Sequence, residues 1–395
     1  MNPSIQHLTQ TASKETKIIL GLMSGTSTDG LDLALCEISG SGPNTNLELL
    51  AFKTEPYSDN FKKQLQRIIS VESCNLQEIC LMNTRIGDYF GEVILKTLKE
   101  WGRKPDEIDC IASHGQTVYH APVSIHQING FPNATLQLGD GDHIARKTGI
   151  LTLSDFRQKH TAAGGEGAPL VAPIDRLLFT DDEEYRLLLN IGGIANFTYL
   201  PPSKSGLSAV TTDTGPGNTL LDATARELLD KPFDANGKVA ASGKMNEELL
   251  TKLKDHKFFT LDFPKTTGPE LFNRHYVRQL QKKTGTEQLS TEDLLATLTL
   301  FSAHTIVDAI RKVHQDSSSS LHIYLSGGGM HNSFLISCLK NLLENFVVQS
   351  FEKIGFNPDA KEAVCFAVLA NETLSGDGFL VGGQKVNFGK ISFPD

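Results

Sequence analysis

The sequence predicts an α/β protein made of two similar lobes, and three observations carry that prediction. Short apolar runs of strand length alternate with stretches of helical periodicity along the chain. Two of the strands pass through a tight glycine turn into a second strand, one near Gly25 and one near Gly192, which suggests a duplicated unit. The chain has 395 residues, 39% of them apolar, enough for two cores.

Taken in order, residues 1–16 are polar, with no apolar stretch and no cleavage signal, and are expected to be a disordered extension. Ile18–Met23, a turn at Ser24–Gly30 and Leu31–Cys36 read as strand, turn, strand. Residues 58–103 carry helical spacing, first through Phe61, Leu65, Ile68 and Ile69, then through Ile86, Phe90, Val93, Ile94 and Leu98. Ile108–Ser113 and Gly149–Ser154 read as short buried strands. After the Gly/Pro-rich stretch Ala163–Pro173, Arg186–Ile191 turns at Gly192-Gly193 into Ile194–Leu200. Helices are expected at 219–230, 246–255 and, from the Ser290/Asp293 start signal, 291–313. Ser317–Ser320 reads as a solvated loop, Leu321–Leu325 as a strand, and Asn357-Pro358 as the opening of a helix apolar on nearly all sides. The expected division is a first lobe at 17–160 and a second at 161–370, with 371–395 the segment placed to return to the first.

Charge and cysteine usage exclude several functions. The formal net charge is −9, against broad binding of nucleic acid or anionic membrane, which needs clustered Lys and Arg. No apolar run approaches the length of a membrane span. The six cysteines, Cys36, Cys74, Cys80, Cys110, Cys338 and Cys365, are scattered without a Cys-x-x-Cys, as in a reduced, cytoplasmic compartment.

Five motifs have compositions suited to chemistry. Gly25-Thr26-Ser27-Thr28-Asp29-Gly30 packs glycines and hydroxyls into one turn, as a phosphate cradle requires, and Asp29 or Asp32 is placed to hold a hydrated magnesium. A plain glycine turn selects the same residues. Gly192-Gly193 is weak alone and matters as the corresponding turn of the second lobe. Gly327-Gly328-Gly329 after a buried strand would let a flat base or ribose lie on the backbone, or would simply make a tight turn. Asp213-Thr214-Gly215-Pro216-Gly217-Asn218 reads either as a general base on a rigid turn or as an Asx-type turn; the aspartic-protease reading fails because no second Asp-Ser/Thr-Gly occurs. His114 and Arg157 follow buried strands, where α/β proteins place their ligands. There is no P-loop, no His-Glu-x-x-His, no nucleophile elbow and no Gly-x-Gly-x-x-Gly, so any ATP would be bound by an actin-like cleft.

The segments Gly21–Asp32, Ser113–Thr117, Leu136–Asp140, Asp155–Arg157, Gly164–Val171, Leu189–Asn196, Asp213–Asn218, Pro264–Gly268, Gly327–Gly329 and Glu362-Ala363 occur in an order that resembles the anhydro-N-acetylmuramic acid kinases. The resemblance implies a two-lobed actin-like, ribonuclease H-like duplicated fold with an ATP cleft between the lobes. It implies ATP and Mg2+ as cofactors, and a reaction that opens the 1,6-anhydro bridge of an anhydro amino sugar and phosphorylates the freed 6-oxygen. In that reading Gly25, Thr26, Ser27, Thr28, Asp29, Gly30, Leu31, Asp32, Gly192, Gly193, Gly327, Gly328 and Gly329 bind ATP, with Asp29 near the metal through water. Asp213 is the base, Glu362 helps position the water, and His114 and Arg157 lie near the sugar. A homodimer is also implied. The chain departs from the family pattern at Gln158-Lys159-His160, at Glu166 and at Pro269, all near the implied sugar pocket, which leaves a kinase for a different sugar or small acid as the alternative. A non-catalytic ATP-gated protein is a third possibility, disfavoured by the presence of both Asp213 and Glu362.

Overall fold

The computed structural model describes residues 2–71, 73–168, 170–315 and 319–395. Part of the predicted Ser317–Ser320 loop, and Pro169 of the Gly164–Val171 segment, lie outside the described residues. The chain divides into two compact units, Met1–Leu178 with Ala360–Asp395, and Phe179–Asp359.

The first unit is built on a seven-stranded sheet. β1 (Thr16–Ser24), β2 (Gly30–Ser39) and β3 (Asn46–Pro56) run antiparallel to one another, and β4 (Cys110–Ala121) and β6 (Thr152–Ser154) continue the sheet in parallel beyond β1. β5 (Ala134–Leu138) is hairpinned to β4, and the strand Lys390–Ser392 closes the edge on β6. β1 is apolar on both faces because both are covered. Leu20 and Leu22 join Ile86, Phe90 and Ile94 of the helix Leu76–Glu100 in one core. Gly21, between them, points the other way, and there the helix Lys361–Ser375 lies so close that a Cβ on Gly21 would fall 2.0 Å from the Ala363 carbonyl oxygen. That glycine is required by approach, not by backbone angle.

The second unit repeats the pattern. β7 (Tyr185–Ile191), β8 (Ile194–Leu200) and β9 (Val210–Pro216) are antiparallel, and β10 (Leu321–Ser326) and β11 (Val347–Ser350) extend the sheet in parallel from β7. Leu187, Leu189 and Ile191 pack on Ile306 and Ile310 of the helix Thr291–Val313 and on Leu335 and Leu339 of the helix Ser333–Leu342. Three antiparallel strands followed by two parallel ones, twice over, is the duplicated ribonuclease H-like arrangement that the sequence predicts.

Four expectations are corrected. Residues 1–16 are not an irregular extension: Pro3–Ser13 is a helix, capped by Asn2, whose Oδ1 accepts from the Ser4 amide at 2.8 Å, and Asn2-Pro3 is the start signal that polarity obscured. The helix Lys361–Ser375 and most of the helix Val171–Phe179 belong to the first unit rather than to a second lobe reaching 370, because the former packs on β1, β2 and β4. Asp213 stands in β9 and not on a turn. Finally, among the described residues one helix is long and apolar enough by composition to cross a membrane, Thr291–Val313, but 78% of its apolar window is buried in the protein, as a core helix requires. All six cysteines are free, Cys74 and Cys80 exposed and the other four buried.

Candidate active site

In the first unit, the sequence-predicted residues His114, Arg157 and Glu362 come together. β4 carries His114 into the interior, where it is 2% exposed. Its Nε2 accepts a hydrogen bond from Arg157 Nε at 2.8 Å, which leaves Nδ1 protonated to donate to the Gly115 carbonyl at 2.8 Å. The ring is therefore held as one neutral tautomer, and burial, followed by the Arg157 charge, keeps its pKa well below the ordinary histidine value. A second guanidinium nitrogen of Arg157 donates to the Gly167 carbonyl at 3.1 Å.

Glu362 and Phe366 are one turn apart on the helix Lys361–Ser375, so they share a face. The Phe366 ring lies 4.8 Å from the His114 ring and 5.4 Å from Phe156. Glu362 opens the helix with its side chain accessible, and the displacement of water by surrounding protein raises its carboxyl pKa, while Arg157 and Lys361 pull it back. His114 thus touches Arg157 and not solvent. Sequence reasoning placed it beside the sugar; in the structure it is a hydrogen-bond partner of the Arg157 guanidinium.

The turn Gly25–Gly30 joins β1 to β2. Thr28 donates its amide to the Gly25 carbonyl at 3.2 Å and takes a left-handed backbone, φ 57°, which brings Thr26 and Ser27 to an exposed tip. Asp29 projects outward, 78% exposed, with Lys62 3.9 Å away. Asp32 instead faces the sheet, where its Oδ1 accepts from Thr54 Oγ1 at 2.5 Å, and Leu31 is buried in the core. Beneath the tip, Ser24 Oγ donates to Gln116 Oε1 at 2.5 Å and meets the Tyr57 hydroxyl at 2.6 Å, and Gln116 Nε2 donates to the Gly25 carbonyl at 3.2 Å. Gln116 and Tyr57 are supports that sequence reasoning missed.

The second unit gathers Asp213, Gly192-Gly193 and Gly327–Gly329. The carbonyls of Gly192 and Gly193 accept from the amides of Asn218, Gly217 and Thr219 at 2.8 to 3.0 Å, so this turn is tied to the Asp213–Asn218 segment. Gly327 and Gly329 are demanded by packing, since a Cβ on either would meet Asn190 or Ile191 at 2.3 to 2.5 Å; a Cβ on Gly328 would meet nothing within 4 Å. Gly328 is the member of the trio that faces open space.

Asp213 is half-buried on the outer strand β9. The segment after the Phe263-Pro264 bond runs alongside it: the Asp213 amide donates to the Lys265 carbonyl at 3.0 Å, and the Thr267 amide donates to Asp213 Oδ2 at 2.9 Å. Burial pushes the carboxyl up to about 6, with the Thr267 amide opposing and Glu270 adding to the rise. A carboxylate poised near neutrality, with a free oxygen lobe and a fixed orientation, is suited to accept a proton from water.

A family model described as anhydro-N-acetylmuramic acid kinase matches residues 17–378. The chain belongs to the anhydro-N-acetylmuramic acid kinase family. A protein of that name from Pseudoalteromonas atlantica is 48% identical over 402 residues, covering 100% of both chains. One from Caldanaerobacter subterraneus is 41% identical, covering 92% of this chain and 93% of its own, and one from Bacillus cereus is 39% identical, covering 95% and 99%. Among solved structures, xylulose kinase and gluconate kinase from Lactobacillus acidophilus align over 96% of this chain and 94% of theirs, with TM-scores of 0.44 and 0.43 at 12% identity.

Membership of the anhydro-N-acetylmuramic acid kinase family makes this an ATP-using enzyme that phosphorylates an amino sugar. Of the departures from the family pattern, His160 is engaged internally, its Nδ1 accepting from the Gly167 amide at 2.9 Å, and Glu166 accepts from Ser124 Oγ at 3.0 Å. Lys159 and Pro269 are exposed. Sequence reasoning also missed the ion pair of Lys361 with the buried Asp175, at 2.9 Å, beside Glu362; a lone acid in the apolar helix Val171–Phe179 was its signal.

Proposed function

We propose that Asp213 is the general base of an ATP-dependent reaction that opens the 1,6-anhydro ring of anhydro-N-acetylmuramic acid and phosphorylates the released 6-oxygen, giving N-acetylmuramic acid 6-phosphate and ADP. The observation that carries this reading is the clamped carboxylate of Asp213, raised to about 6 and held by the Thr267 amide. Asp213 accepts a proton from the water that attacks the anomeric carbon. The departing bridge oxygen takes the γ-phosphoryl group, so it never leaves as a free alkoxide.

The amides and hydroxyls of Gly25–Gly30 cradle the phosphates, and Gly328 offers a bare backbone surface to the nucleoside. Arg157, angled by His114, grips the lactyl carboxylate of the sugar, and Glu362 helps orient the water. Asp29, exposed on the Gly25–Gly30 turn, would be the residue to hold a hydrated magnesium. Such an ion supplies neutralisation of charge on the phosphates. The substrate is a cell-wall fragment, which fits a cytoplasmic recycling enzyme; the homodimer rests on the family resemblance alone.

The test is incubation with ATP, magnesium and anhydro-N-acetylmuramic acid in 18O-labelled water. The 6-phosphate should form with label at the anomeric position. Turnover of a different sugar, with none of this one, would replace the substrate while keeping the kinase.

A further inference from the structure

We infer that Lys265 is a positioning residue for Asp213: its ammonium, caged by aromatic rings, pins the segment whose backbone clamps the base. The inference rests on the reading of Asp213 as base. Lys265 is 8% exposed. Its Nζ donates to the Phe258 carbonyl at 2.9 Å and to the Phe259 carbonyl at 3.4 Å. The same nitrogen lies 4.4 Å from the ring centre of Phe258, 5.6 Å from Phe263 and 5.8 Å from Phe259.

Three π faces and two carbonyls at the turn Lys257–Thr260 make a site for a cation. An apolar side chain would fill the same rings without the desolvation that an ammonium incurs. What the ammonium adds is a fixed point along the chain. From it, the main chain reaches Asp213 in two steps. The Lys265 amide donates to Thr212 Oγ1 at 3.0 Å, and its carbonyl accepts from Thr212 Oγ1 at 3.2 Å and from the Asp213 amide at 3.0 Å. Two residues on, the Thr267 amide reaches the carboxylate. Lys265 touches neither reacting atoms nor the carboxylate itself; it fixes where the Thr267 donor sits.

Other charges bear on the pair. Glu270 faces Asp213 and raises its pKa. Lys312 lies over the outer side of the cage, 5.0 Å from the Phe263 ring, and donates to the Leu261 carbonyl at 2.8 Å.

The experiment is a double-mutant cycle on the full chain, with ATP, magnesium and anhydro-N-acetylmuramic acid, using Lys265→Met, Asp213→Asn and the two combined. Lys265→Met should lower kcat about tenfold or more with the KM for ATP changed by less than about twofold. Its acid limb should move above the wild-type position, because the Thr267 amide no longer holds the Asp213 carboxyl down. In the Asp213→Asn background the same change should cost nothing further, since the group it positions is gone. Equal fold-losses in both backgrounds, with an unmoved acid limb, would overturn the inference and leave the base assignment standing. An Asp213→Asn enzyme of wild-type rate would overturn the base assignment and the inference together. Should Lys265→Met not fold, Lys265→Leu, which also fills the rings without donating to the Phe258 carbonyl, carries the same cycle.

Discussion

Arg157 donates through Nε to the Nε2 of His114 at 2.8 Å, and that bond requires a neutral imidazole. His114→Ala leaves a half-buried guanidinium without one of its two partners. Removal of such a bond to a charged group costs about 1.5–3 kcal/mol, so the KM for the sugar should rise about tenfold or more while the KM for ATP stays near wild type. Steady-state kinetics with each substrate varied will check it.

The same histidine makes stability depend on pH. Its folded pKa is depressed, so below the unfolded value of about 6.5 the unfolded chain binds a proton that the folded chain refuses. Stability should therefore fall as the pH drops below about 6.5, and His114→Phe should flatten that slope. Urea midpoints between about pH 7 and 5 measure both.

Asp213 has the opposite sign. Its pKa rises on folding to about 6, so it favours the folded state at low pH, and above about 6 its ionised form is a net cost. Activity needs that ionised form and should fall as the pH drops through about 6. Asp213→Asn should lower kcat by about 10²–10⁴-fold and yet raise the melting temperature at pH 8. A calorimetric scan beside the rate measurement tests the trade.

The Gly327–Gly329 trio separates packing from binding. Gly328→Ala meets no protein atom within 4 Å and should leave stability within about 0.5 kcal/mol while raising the KM for ATP. Gly329→Ala drives a methyl into Ile191 at 2.3 Å and should cost about 1–3 kcal/mol. Chemical denaturation and nucleotide titration of both variants distinguish the two roles.

Much of this was legible in the sequence. The helix Thr291–Val313 announced itself by Ser290, which caps it through the Asp293 amide at 3.1 Å, and both glycine turns stood between apolar runs. Asp213 was singled out as a candidate but placed on a turn, because Thr-Gly-Pro-Gly dominates the local composition; only pairing with Asn196 of β8 shows it to be strand. The support of Arg157 was not legible, since His114, Arg157 and Phe366 lie far apart in the chain. Nor was the lobe boundary, because nothing local in Lys361–Ser375 says which sheet it will cover. The cage of Lys265 was closer to view: Phe258, Phe259 and Phe263 precede it within seven residues, but which rings face a nitrogen depends on how the loop folds back.

Gly21 and Ala363 touch across 342 residues of chain, and the edge strand Lys390–Ser392 joins β6 from beyond the second unit in sequence. On a ribosome, the unit that is started first is therefore finished last. Phe179–Asp359 can emerge and close while β1 still has one face bare to solvent or to a chaperone. Removal of Lys390–Ser392 would strip an edge strand from the sheet that carries β1 and leave the sheet that carries β9 whole.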